Sequence, residues 1–153
     1  MTKPTNTTTK VKARTHFTVP VYRHLKKFII KNYKCTETIK VENYSTLGDI
    51  VTLCLRDPQQ AENNDQYRDR LTANITLVLS ARQAKLGPRM SKLVALNVKM
   101  DRVFKEHLLA WIQALRKDGI APFTACKIFL DYYDIDESEY SLDAAYKHWQ
   151  RSQ

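Results

Sequence analysis

The sequence predicts an α+β fold dominated by helices: a small sheet packed by a long central helix, with a helical hairpin at the C-terminus. Three observations lead there. A stretch near the front alternates with period two, and a second β-branched run lies near the middle. Residues 98–117 carry an apolar stripe at helical spacing for about five turns. The 153 residues include only 3 Gly and 5 Pro, too few for the tight turns of an all-β chain.

Residues 1–12 are Thr-rich, polar and interrupted by Pro4, and are expected to form a disordered basic arm. The remainder, 13–153, is expected to be a single domain with a possible internal boundary in the loop 56–70. From Ala13, the residues Thr15, Phe17 and Val19 alternate with Arg14, His16 and Thr18, which predicts a strand that Pro20 should end, since proline offers no ladder donor. Val21, Leu25, Phe28, Ile29 and Tyr33 then recur at helical spacing, and Arg23, Lys26, Lys27, Lys31 and Lys34 occupy the rest of that helix's surface. Thr38–Val41 is a possible short strand. Ser45 or Thr46 caps a helix running to Leu55, with Leu47, Ile50, Val51, Cys54 and Leu55 as its buried face and Asp49 in its first turn.

Ala73–Ser80 reads as a strand, and Gly87-Pro88 as a turn. Residues 92–97 suit either a further strand or the start of a helix. Met100, Val103, Phe104, His107, Leu108, Trp111, Ile112 and Leu115 define one face of the long helix, which Gly119 stops. The hairpin 120–152 follows: Pro122 at a helix start, then the acidic break Asp134–Glu139, then Ser141 capping a helix to Arg151.

The net charge is +9, and it is unevenly spread. Residues 1–56 hold 11 Lys and Arg against 3 Asp and Glu, whereas residues 120–153 hold 3 against 6. A basic front suggests a polyanionic partner, DNA or RNA. The expected contacts are Lys10, Lys12 and Arg14 on the arm, together with Arg23, Lys26, Lys27, Lys31 and Lys34 on the helix; Lys27, Lys31 and Lys34 share one helix face. Tyr22, His24 and Tyr33 are candidate stacking partners for single-stranded bases. The competing explanation is a solvated helix surface with Tyr33 in the core.

The C-terminal hairpin has the element order of a DNA-reading helix–turn–helix, with Lys147, His148, Gln150 and Arg151 on its second helix. Asp136, Glu137, Glu139 and Asp143 crowd the entry to that helix and would repel phosphate, so a packing hairpin is the better reading. The four histidines are too dispersed for a zinc pattern, and the acidic run lacks the glycine and spacing of a calcium loop, so no metal and no cofactor is expected. The chain contains no phosphate-binding glycine loop, nucleophile elbow or H-E-x-x-H. A Cys35 thiolate paired with His24 or His16 is conceivable, but nothing in the spacing requires it.

Three scattered cysteines, no apolar leader in the first ten residues and no apolar run near the ~20 residues of a membrane span give a cytoplasmic expectation with no membrane association. The function expected is a non-catalytic accessory or regulatory nucleic-acid-binding protein, with transcription regulation as one setting. The alternative is a protein–protein adaptor or charge-polarised homo-oligomer, in which the basic front of one chain meets the acidic tail of another.

Overall fold

The computed structural model describes residues 14–42, 44–56 and 69–153. In order, the elements are β1 (Thr15–Val21), α1 (Arg23–Asn32), β2 (Thr38–Lys40), α2 (Thr46–Arg56), β3 (Ala73–Leu79), α3 (Ala81–Ala84), α4 (Met90–Lys117), α5 (Pro122–Tyr132) and α6 (Leu142–Arg151). The expected arm 1–12 and most of the loop 56–70 lie outside the described residues.

The sheet runs in the order β1-β3-β2, with β3 antiparallel to β1 and parallel to β2. β3 is central, so both of its edges are paired, and its sequence is accordingly the most apolar of the three strands. Thr15 lies opposite Leu79, Val21 opposite Ala73, and Lys40 opposite Val78. Val19, Val21, Ile39, Ile75, Leu77 and Leu79 project into the core, whereas His16, Thr18, Thr38, Lys40 and Asn74 project to solvent.

One expectation about the sheet is corrected, and one choice left open is decided. Pro20 does not end β1; it sits inside the strand opposite Asn74. This is tolerated because β1 is an edge strand and needs ladder bonds on one side only. The other side is met by Asn97 of α4, whose Nδ2 donates to the Pro20 carbonyl (2.9 Å) and whose Oδ1 accepts from the Tyr22 N–H (3.1 Å). Residues 92–97 are not a strand; they belong to α4, where Leu93, Leu96 and Met100 continue the buried stripe of Phe104, Leu108 and Ile112 at spacings of three and four. The third strand is the short β2.

The long helix α4 packs against β1, α1, α2, α5 and α6, so a single apolar core unites the sheet with the C-terminal helices. Its end is fixed by Gly119, whose φ of +80° allows the Ile120 N–H to reach back to the Leu115 carbonyl (3.1 Å). His107, assigned by its spacing to the apolar face, is exposed at that face's rim with its ring 5.3 Å from Phe28.

Two local devices position the features discussed next. Ser45 Oγ donates to the Glu42 carbonyl (3.0 Å) and accepts from the Gly48 N–H (2.9 Å), folding the turn at Tyr44 onto the start of α2. The approach is so close that a Cβ on Gly48 would lie 1.8 Å from the Glu42 oxygen. Immediately after β3, Ser80 and Gln83 form a capping box that starts α3: the Gln83 N–H donates to Ser80 Oγ (3.3 Å), and Gln83 Oε1 accepts from the Ser80 N–H (2.9 Å).

Candidate nucleic-acid interface

The basic face of α1 forms as expected, but most of its charge is engaged within the chain. Lys27 Nζ lies 2.6 Å from Glu139 Oε2 and donates to the Asp134 carbonyl at 2.5 Å. Arg23 Nε is 3.4 Å from the other oxygen of Glu139, a carboxylate only 1% exposed. Lys31 pairs with Asp134 (3.6 Å), donates to the Tyr132 carbonyl and stands 4.4 Å above the Tyr132 ring. Lys26 pairs with Glu37 (2.6 Å). Lys34 is exposed, in a left-handed conformation (φ +50°) just past the helix end, and Arg14 is exposed at the start of the sheet. Lys10 and Lys12 lie outside the described residues. The meeting of basic front and acidic back that the sequence suggests for two chains is therefore made inside one.

The aromatic candidates on this helix are packed. His24 is buried, its ring 5.6 Å from Tyr22, 5.1 Å from Phe104 and 5.0 Å from Tyr140, and its Nε2 is 3.7 Å from Asp101. Tyr33 is partly buried against the core.

A second cationic region was not singled out in the sequence. Between residues 71 and 100 there are five Lys and Arg and no Asp or Glu. Arg82, Lys85 and Arg89 are exposed there, and Arg56 is exposed at the end of α2. Among the described residues, none of these four has a carboxylate within ion-pair distance. Arg56 and Arg82 share a cavity of about 180 Å³ with Tyr44, Asp49, Thr52, Gln83 and Leu86. Gln83 is 2% exposed; the capping box uses its Oε1, whereas its Nε2 is buried with no hydrogen-bond partner. Tyr44, at 99% exposure, is the most exposed large apolar side chain described. The strand register adds Arg14: Thr15 opposes Leu79, and α3 begins two residues later, so the N-terminal entry to the sheet and the start of α3 are at the same sheet end. The signal in the sequence for this region is the thirty-residue stretch 71–100 without a carboxylate.

The C-terminal hairpin is formed, and its second helix rests on the core through Ala145, Tyr146 and Trp149. Its first turn is already neutralised: the Leu142 N–H donates to Glu137 Oε2 (3.0 Å), and Asp143 pairs with Lys147 (2.7 Å). Lys105, Tyr140, Lys147, His148 and Arg151 border a shallow groove there, and Lys105 is paired with Asp101 (2.6 Å). Burial, then the Lys105 charge, lowers the pKa of His148. Burial alone would raise Asp101, but His24 and Lys105 outweigh it and lower its pKa. Burial pushes the Tyr140 hydroxyl up to about 12.

None of the three cysteines forms a disulfide. Burial raises the pKa of Cys35 and pushes that of Cys126 to about 11, the opposite of what a thiolate nucleophile needs. Among the described residues, no three His, Cys, Asp or Glu side chains converge as a metal site, and no helix is long and apolar enough to cross a membrane. The chain matches no family model, no curated protein and no solved structure.

Proposed function

We propose that this chain is a non-catalytic nucleic-acid-binding protein of accessory or regulatory type. Its polyanion contacts are Arg56, Arg82, Lys85 and Arg89, extended by Arg14 and by Lys10 and Lys12, which precede Arg14 by four and two residues in sequence. The observation that supports this reading most is the set of exposed guanidinium and ammonium groups around α3 with no carboxylate at ion-pair distance among the described residues. A phosphate backbone draws its affinity from cations whose counterions are released on binding. A lysine already held by a buried carboxylate, as Lys27 is by Glu139, has no such charge to give without breaking that pair.

The test is fluorescence anisotropy with labelled DNA and RNA, single-stranded and duplex, across a salt series. Binding at ~50 mM salt that weakens log-linearly as salt rises is the expected result, and no binding at that salt would end the proposal. Replacing Arg82, Lys85 and Arg89 together by Glu should abolish detectable binding, and unchanged affinity would contradict the assignment.

A further inference from the structure

The cavity between α2 and α3 combines features that a merely solvated basic surface would not need. Its two guanidiniums, Arg56 and Arg82, come from different elements and line one volume. Gln83, a residue of the cavity lining, is held in place through Oε1 by the Ser80 N–H, and its Nε2 is buried with no hydrogen-bond partner. A buried donor without an acceptor is costly, and a site that supplies the acceptor recovers that cost. The Thr52 hydroxyl adds a second neutral donor, and Asp49 contributes a carboxylate to the lining. At the same lining stands Tyr44, an aromatic ring left in water by the tight Ser45–Gly48 turn.

The occupant this arrangement fits is anionic, small and attached to a planar group. At about 180 Å³ the cavity is below the range of pockets that swallow a whole drug-sized ligand, so it suits a phosphate group with part of a sugar. A base attached to that sugar is left outside, within reach of a ring that can stack on any nucleobase. Asp49 accepts from hydroxyls, so a phosphate carried on a sugar can set a ribose hydroxyl against it while the charged oxygens stay with the guanidiniums. We propose that the cavity lined by Arg56, Arg82, Gln83 and Thr52 binds the phosphate of a nucleoside monophosphate unit, with Tyr44 stacking on its base. Such a unit is either a free mononucleotide or the phosphorylated end of a single strand. The choice of ligand rests on the nucleic-acid reading above, and the site gives that reading an end-recognising element.

The experiment is calorimetric titration of the full chain with a ribonucleoside 5′-monophosphate, inorganic phosphate, and single-stranded oligonucleotides with and without a 5′-phosphate. The diagnostic variant is Gln83→Glu. It keeps the oxygen that accepts from Ser80, and hence the capping box, but removes the buried donor and adds a negative charge. The expected results are binding of the monophosphate unit in preference to inorganic phosphate, and at least about a tenfold loss in Gln83→Glu with an unchanged circular dichroism spectrum. A second variant, Arg56→Gln with Arg82→Gln, should lose the same preference, which covers the case in which Gln83→Glu does not fold. Preference for the phosphorylated oligonucleotide with no response to free mononucleotide assigns the site to strand ends; the reverse assigns it to a free nucleotide and counts against the nucleic-acid function while keeping the site. Equal binding of both oligonucleotides, insensitive to Gln83→Glu and to the arginine pair, overturns the site and leaves the nucleic-acid function standing. No binding of any probe overturns both.

Discussion

The molecule has two basic regions, and they differ in what surrounds them rather than in how many cations they carry. On α1, Arg23, Lys26, Lys27 and Lys31 are each paired with a carboxylate, three of them with Glu139 or Asp134 from the acidic break between α5 and α6. Around α3, Arg56, Arg82, Lys85 and Arg89 have no such partner among the described residues. The first region fastens the front of the chain to its back; the second has no such fastening among the described residues. Net charge therefore says little about a partner until the carboxylates have been placed.

The sharpest way to break this contrast is at Glu139. Its side chain is 1% exposed and serves two cations and the Asp136 N–H (3.1 Å). Glu139→Ala leaves Arg23 and Lys27 without the carboxylate they share. Loss of one member of a fully buried pair costs about 3–5 kcal/mol, and because Arg23 and Lys27 keep much of their hydration, roughly 2–4 kcal/mol is expected here. The midpoint of urea unfolding measures it. A loss below about 0.5 kcal/mol, the size of a surface substitution, would mean that α1 and the acidic break are not fastened in this way.

Next in size is the exchange of roles between the two regions under salt. Each phosphate contact removed should flatten the log affinity against log salt slope by about 0.7–0.9, so Lys85→Gln with Arg89→Gln should flatten it by about 1.4–1.8. Lys27→Gln with Lys31→Gln should leave that slope unchanged and lower stability instead. If the α1 pair carried the slope, the assignment of the two regions would be reversed.

Much of the fold was legible because local patterns agreed with it. The α4 stripe, the Ser45 and Ser141 caps, the Gly119 stop and the Pro122 start all depend on residues within a few positions of one another. Errors and open choices arose where the deciding partner was remote. Pro20 could stay in β1 only because that strand lies at the sheet edge and meets Asn97, 77 residues away. Residues 92–97 joined α4 because Leu93 and Leu96 extend its buried face, which a short apolar run cannot announce. The fate of Lys27 hung on Glu139, 112 positions along the chain. The cavity at α3 was partly readable, since Ser80 and Gln83 have capping-box spacing and the surrounding sequence lacks acids. Nothing local indicated that Arg56 would join it from α2.

The smallest effect concerns pH, and it tests whether the titrating groups between α4 and its neighbours contribute stability. Asp101 has a folded pKa below its ordinary value because His24 and Lys105 outweigh its burial. A carboxyl of this kind contributes stability that is present above its unfolded pKa and lost as pH falls through the folded value, so the loss begins below about pH 4. His148 shifts in the same direction because burial and the Lys105 charge disfavour its cation. Its contribution is present above about pH 6.5 and is lost as pH falls from there toward its folded pKa. Both slopes have the same sign, so stability should decline in two separate steps on acidification. In thermal melts, His148→Gln should remove the step that starts near neutrality, and Asp101→Asn should flatten the one at lower pH. A stability curve that rises on acidification from pH 7 to pH 5 would show that His148 is not held neutral against α4. The contacts between α6 and the Lys105 side of α4 would then differ from those described.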